Sequence, residues 1–345
     1  MSQFPESIES EEILDEVMTT PREALTNSIQ TLPSPLIILG AGGKMGPTLA
    51  VLARRAAERA KKDLEILAVS RFSDSGTRQW LEAHAVKTIN CDLLDREAVR
   101  RLPDAENIIY LVGLKFGTAD NPALTWAMNT LVPAHVSERF PRARIVALSS
   151  GNIYSLAAVD SAGAIETDST TPIGEYPNAC IARERIFEYY SRGKRTPVAL
   201  IRLNYAVDLR YGVLLDIAQK VYAGEPIDVT MGYLNCLWQG DANEFILRAL
   251  PLTSSPPAVL NLTGRQVLSV RALANEFGKL LGKKPNIVGS EAATALLSNP
   301  GRLCALLGEP PTPLETVMKW TAHWVKRGGR SLNKPTHFEV RDGKY

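Results

Sequence analysis

The sequence predicts an α/β fold, a doubly wound parallel sheet with a small interleaved C-terminal substrate lobe. Three observations lead there. Short continuous apolar runs alternate with segments of helical period, as strands buried on both faces do. The first of these runs, Leu36 to Leu39, ends in a glycine turn with Gly40, Gly43 and Gly46 spaced three apart. A later strand, ending at Leu148, delivers Ser149 and Ser150 to the edge of the sheet where such folds bind ligands.

Taken in order, residues 6 to 30 read as one or two amphipathic helices (Ile13, Leu14, Val17, Met18; then Leu25 and Ile29), an appendage ahead of the first strand. From residue 36 the alternation begins. Leu36 to Leu39 is followed by a helix to about Ala60, Glu65 to Val69 by a helix near Thr77 to His84, and Val86 to Ile89 by a helix near Arg96 to Leu102. Asn107 to Val112 precedes a long helix to Phe140, and Arg144 to Leu148 is the fifth strand. Beyond residue 190 the order loosens: Val198 to Leu203 reads as a strand, Val213 to Ala223 and Val270 to Leu281 as helices, with proline-rich connections. The expected divisions are an N-terminal helical extension (1–33), a dinucleotide-binding domain (34–203), a mainly substrate-binding lobe with segments returning to the sheet (204–326) and a tail (327–345). Polar and glycine-containing, that tail reads as a flexible end or an arm laid on a neighbour.

Composition narrows the function. Thirty-nine Lys and Arg against 37 Asp and Glu leave a net charge of +2 without a basic block, which argues against nucleic acid. No apolar stretch reaches the roughly 18 residues of a membrane span, and the acidic N-terminus is unlike a signal peptide, so a cytoplasmic protein is expected. Cys91, Cys180, Cys236 and Cys304 lack C-x-x-C spacing and histidines number four, so neither a disulfide framework nor a metal site is expected.

The glycine turn reads as a pyrophosphate cradle. Glycines let backbone approach a phosphate closely, and Pro47 suits the first turn of a helix whose free N–H groups would face the anion. Met45 stands where the ordinary dinucleotide fingerprint has its third glycine, so the fit is to G-x-x-G-x-x-G. The second strand ends in Ser70 and Arg71, with no acidic residue to bind a ribose 2′-hydroxyl or repel a 2′-phosphate. NADP therefore fits better than NAD, and Lys44 inside the turn adds positive charge. Tyr176 opens a helix about 25 residues after Ser150. A tyrosine and a serine together can pass a proton to or from a substrate hydroxyl, provided a cation lowers the phenol's pKa from about 10.

At this point the chain resembles the extended short-chain dehydrogenase/reductase family, the NAD(P)-dependent epimerase/dehydratase group, over roughly residues 34 to 326. The resemblance rests on GAGGKMG, CDLLD, Leu111 to Gly113, Asn129, SSGNIY, ETDSTTPIGEYPNAC, LWQGDA and VLNLTGRQVLSVRALANEFGKLLGK. It implies cofactor contacts at Gly40, Gly43, Lys44, Met45, Gly46, Ser70, Arg71, Asp92, Leu93, Val112, Gly113, Asn129 and Tyr176. Tyr176 and Ser150 take the catalytic positions, Asp241 that of the lobe aspartate, and a homodimer is implied.

Two departures qualify the resemblance. The family lysine of Y-x-x-x-K falls on Cys180, which carries no fixed charge; Arg183 lies one turn further, though seven residues need not bring it to the same side. The arginine that clamps the diphosphate of nucleotide sugars would fall on Leu234, and the acid pair of sugar 4,6-dehydratases falls on Gly151 and Asn152. The expected substrate is thus a free sugar, sugar acid or similar carbohydrate, with Ser150, Asn152, Tyr154, Arg202 and Asn204 as candidate contacts. The expected activity is an oxidoreductase or epimerase; a non-catalytic dinucleotide-binding or regulatory protein is the competing expectation, and a lyase or isomerase with a tightly held cofactor a third.

Overall fold

A computed structural model describes residues 4–113, 121–334 and 336–342. Seven parallel strands form the central sheet: β1 (Leu36–Leu39), β2 (Ile66–Ser70), β3 (Lys87–Asn90), β4 (Asn107–Tyr110), β5 (Arg144–Ser150), β6 (Val198–Leu203) and β7 (Ala258–Leu262). Their spatial order is β3-β2-β1-β4-β5-β6-β7. The order reverses between β1 and β4, and the crevice beyond their carboxyl ends is where such a sheet takes a ligand. Register is set locally, with Leu36 to Leu39 lying beside Ile66 to Val69 on one side and Asn107 to Tyr110 on the other.

Both faces of the sheet are covered, and its central strand β1 is apolar and buried at every position. Leu36 and Ile38 enter one core, with helices α2 (Glu23–Ile29), α3 (Gly46–Arg59) and α9 (Gln239–Arg248). Ile37 and Leu39 enter the opposite core, where Val132 and Val136 of α6 (Pro122–Arg139) and Phe187 of α7 (Glu175–Lys194) pack. Successive side chains of a strand point to opposite faces, so one four-residue run supplies two layers. The remaining helices of this half are α1 (Glu11–Thr19), α4 (Ser75–Ala83) and α5 (Arg96–Arg100).

The lobe is built from α8 (Val213–Ala223), α10 (Val270–Leu281), α11 (Gly301–Leu307) and α12 (Leu314–Lys326), with four short strand pairs. One pair joins Ala157–Ala158, ahead of α7, to Thr294–Ala295, so lobe and sheet domain interleave.

Neither chain end behaves as its composition suggests. Leu25, Ile29 and Leu32 are fully buried in the core shared by α3 and α9, while Ile8, Leu14 and Met18 are buried in the lobe core with Trp238 and Trp320. The extension is therefore a wedge between the two halves rather than an appendage; its amphipathic stripe finds apolar surface on both. The tail also lies on its own chain. Thr336 donates through N and Oγ1 to Asp216 Oδ2 (2.8 and 2.6 Å), and Phe338 is 2% exposed in the lobe core. The final three residues of the tail fall outside the described ones.

Candidate active site

The glycine turn joins β1 to α3 with three distinct backbone requirements. Gly40 has φ +81°, and a Cβ there would stand 3.1 Å from the Val112 backbone N, so the turn and the segment after β4 touch. Gly46 lies against Ala41, whose carbonyl oxygen would be 2.4 Å from a Cβ. Gly43 differs: its N–H donates to Gly40 O (3.0 Å), and an added Cβ would approach only that oxygen, at 3.3 Å. Its outer side is open. Helix α3 begins with Pro47 in its first turn and no side-chain cap at Met45, so its leading amides point from the turn without a side-chain acceptor. Such a cradle fits a pyrophosphate.

Around this cradle the other predicted cofactor residues divide. Ser70 Oγ would be 2.6 Å from a Cβ on Gly42, placing the hydroxyl against the turn. Arg71 follows, exposed, its carbonyl accepting from Asn90 Nδ2 (3.0 Å). Asp92 turns the chain after β3, with Oδ1 accepting from Leu94 N (3.0 Å), and Leu93 is buried. Met45 sends its side chain into the core beside α3, leaving only its main chain to border the turn. Asn129 is fully buried, donates to Thr125 O (2.8 Å), and leaves Oδ1 without a partner. Lys44 is turned elsewhere: its Nζ donates to Ala206 O (2.8 Å) and lies 4.4 Å from the Tyr211 ring centre. A carbonyl and an aromatic face engage the ammonium, so its charge ties the turn to the segment after β6.

The chemistry-bearing cluster lies beside the Leu111–Gly113 segment. Ser150, at the end of β5, accepts from Asn152 N (3.2 Å) and donates to Asn152 Oδ1 (3.3 Å). Tyr176, in the first turn of α7, shares side-chain hydrogen bonds with Ser150 and Cys180. Arg183 completes the group. It is 3% exposed, and its Nη1 donates to Val112 O (2.8 Å) and Nη2 to Cys180 Sγ (3.3 Å). Burial pushes the Tyr176 phenol upward, the Cys180 thiol adds to that, and the Arg183 charge opposes it without reversing it. Tyr176 is consequently a phenol, not a phenolate, near neutrality.

Three of the five predicted substrate contacts are held by one another or by other buried groups. Arg202 makes a bidentate pair with Glu184 (Nε–Oε1 3.0 Å, Nη2–Oε2 2.8 Å), and its Nη1 donates to Tyr154 OH (2.7 Å). Tyr154 OH donates in turn to Asn261 Oδ1 (2.8 Å). Asn204 donates to Asn235 Oδ1 (2.9 Å) and is 2% exposed. Arg202, Tyr154 and Asn204 are thus hydrogen-bonded within the protein, the Arg202 guanidinium to the Glu184 carboxylate. Ser150 and Asn152 face the cluster. Sequence reasoning missed Tyr110, whose hydroxyl is buried without a partner near Arg183, and Ser298, whose unpartnered Oγ would be 3.0 Å from a Cβ on Gly151. The end of β4 pointed to Tyr110; nothing in the sequence pointed to Ser298.

Residues 36–229 match the model of the NAD dependent epimerase/dehydratase family. The chain belongs to that family. Its fold is similar to that of Pal from Bacillus thuringiensis (18% identity over 85% of this chain and 99% of that one, TM-score 0.69). It is similar also to UDP-glucose 4-epimerase from Thermotoga maritima, solved with UDP-glucose (16%, 85% and 99%, TM-score 0.68). A third is DesIV, a dTDP-glucose 4,6-dehydratase from Streptomyces venezuelae solved with NAD and TYD (14%, 85% and 97%, TM-score 0.71). No curated protein matches closely enough to add a function.

Leu234 is 1% exposed and Cys180 is fully buried. Among the described residues no group of His, Cys, Asp or Glu could hold a metal, and no helix is long and apolar enough to cross a membrane.

Proposed function

We propose that this protein is an NADP-linked oxidoreductase or epimerase acting on a free sugar, sugar acid or related small carbohydrate. The observation that carries the reading is the meeting of the Tyr176 phenol with the Ser150 hydroxyl at the carboxyl edge of the sheet, next to the glycine cradle. When bound, the nicotinamide supplies hydride exchange at the carbinol or carbonyl carbon. Ser150 holds the substrate oxygen. Tyr176 gives that oxygen a proton during reduction or takes one during oxidation. Because the phenol is held in its protonated form, it is ready to act in the reductive direction.

Support for a small carbohydrate comes from Leu234, Gly151 and Asn152, which offer neither a cation for a diphosphate nor an acid for elimination. Ser70 and Arg71 support NADP, with NAD, the cofactor named for DesIV, as the alternative. A homodimer through α6 and α7 is supported by Leu124, Leu131 and Tyr189, apolar side chains 38 to 71% exposed on those two helices; sedimentation of a Leu131→Glu variant as monomer would bear on it. The deciding experiment follows absorbance at 340 nm for net oxidation or reduction and proton NMR of the sugar for epimerisation, with both cofactors, free sugars, aldonates and uronates in parallel with UDP- and dTDP-sugars. Turnover confined to nucleotide sugars overturns the substrate class. Cofactor binding with no turnover on any of them favours the second reading, a dinucleotide-binding regulatory protein, which draws on Cys180 and the protonated Tyr176.

A further inference from the structure

Arg183 is a buried cation with no carboxylate among its hydrogen-bond partners in the described residues. Those partners are the Val112 carbonyl and the Cys180 thiol, and Nε has none. The adjacent carboxylate, Glu184, is already taken by both edges of Arg202. Burying a guanidinium without a carboxylate partner costs several kcal/mol, so its place calls for a reason beyond packing. The groups that face it supply one. From its own helix come Tyr176, Cys180 and Glu184, and from β4 comes Tyr110, whose unpartnered hydroxyl lies near it. All four are acids, and a cation favours the anionic form of each.

Position on the helix makes the arrangement possible. At about 100° per residue, i+4 and i+7 fall roughly 40° ahead of and 20° behind residue i. Tyr176, Cys180 and Arg183 therefore share one stripe. The long guanidinium reaches back along it, and Gly113 leaves the room: a Cβ there would stand 3.0 Å from Arg183 Nη1.

We propose that Arg183 supplies the positive field that stabilises negative charge on the Tyr176 oxygen, with Cys180 as the neutral spacer that lets the guanidinium approach. Arg183 is on this view a positioning residue acting through Tyr176, and the proposal rests on the reading of Tyr176 as the proton-transfer group. It accounts for Cys180 as well: a lysine at 180 would set its ammonium against the guanidinium, whereas the small cysteine leaves Arg183 Nη2 within 3.3 Å of its sulfur.

The test needs neither substrate nor cofactor. Difluorotyrosine, whose phenol titrates within an accessible range, is placed at position 176 of the full chain and titrated by fluorine NMR. Arg183→Gln should raise the midpoint by about one unit or more, the size expected for loss of a nearby opposite charge. Arg183→Lys should keep most of the field, and the relocated pair Cys180→Lys with Arg183→Gln should bring the midpoint back down. Arg183→Met, which retains the stem, serves if the glutamine variant does not fold. A midpoint unchanged in the neutral variants, or not recovered by the relocated pair, overturns the proposal; a purely structural role would lower the melting temperature and leave the midpoint in place. Absence of turnover on every carbohydrate would defeat the functional reading alone and leave this titration's answer standing.

Discussion

Arg22, between the two N-terminal helices, places Nη2 2.8 Å from Oδ1 of Asp241 in the first turn of α9. Asp241 also accepts from Thr312 N (3.0 Å) and Oγ1 (2.8 Å), and Arg22 reaches Glu244 at 3.2 Å. One guanidinium thus joins the extension, the sheet domain's α9 and the segment leading into α12.

Arg22→Ala should cost about 3 kcal/mol, because it leaves a carboxylate that is 1% exposed without its counter-ion. Burial already raises the Asp241 carboxyl, Arg22 and Thr312 holding it down. Removing Arg22 lifts it further above its unfolded value. A group raised in the folded state contributes stability below its unfolded pKa and loses it as pH climbs through the folded one. The deficit should therefore be full at pH 7 and shrink as pH falls towards 4, which urea melts at the two pH values would show.

Gly43 and Gly46 should fail in different ways. Gly43→Asp should fold, since its Cβ has space, yet weaken dinucleotide binding more than about tenfold by putting a carboxylate where the pyrophosphate is expected. Gly46→Ala should destabilise the protein itself, as its Cβ overlaps the Ala41 backbone. Cofactor titration combined with thermal melting separates the two outcomes; equal affinity in a folded Gly43→Asp would remove the cradle from the cofactor site.

Tyr176→Phe should lower turnover by about 10² to 10⁴ while leaving cofactor affinity nearly unchanged, and Ser150→Ala should cost less because the proton donor stays. The raised phenol gives this a pH signature. Reduction, which uses the protonated form, should be level from pH 6 to 9; oxidation, which needs the phenolate, should rise across the same interval. Opposite slopes would assign the proton transfer to another group.

Arg202→Leu should cost about 3 to 5 kcal/mol, because Glu184 (5% exposed) loses both hydrogen bonds. The paired change Arg202→Leu with Glu184→Leu should recover much of it. Melting without ligand measures this directly. A normal melting temperature with a raised KM would return Arg202 to the substrate.

The strands were the legible part. Leu36 to Leu39 and Val198 to Leu203 agree with the observed bounds because a strand buried on both faces carries its burial in its composition. Ends blur where polar residues continue the ladder: β5 runs on to Ser150, which reads as loop, and β4 stops at Tyr110 ahead of the apolar Leu111 and Val112. Side-chain partners were less accessible. The sequence offers Arg202 as a substrate contact and Lys44 as phosphate charge without showing that Glu184, on the preceding helix, meets the one and Ala206 O the other. Such pairings depend on rotamers and on elements distant in sequence. Arg183 was in principle within reach, since seven residues are nearly two full helical turns. What spacing could not supply was the carbonyl of Val112 that draws the guanidinium inward.

The wedge formed by the extension carries an implication for the order in which the molecule is made. Arg22 finds Glu244 222 positions later, and the Pro5 carbonyl receives the Trp320 indole N–H from 315 positions away. While the glycine turn and the strands around it can assemble from near neighbours, Ile8, Leu14 and Met18 must wait, apolar and uncovered, until the lobe has been synthesised. Closing contacts of that span are slow to find, and waiting apolar helices invite the wrong company. A segment that precedes the sheet in the chain is therefore among the last to settle, and it is there, rather than at the nascent sheet, that apolar surface stays open longest.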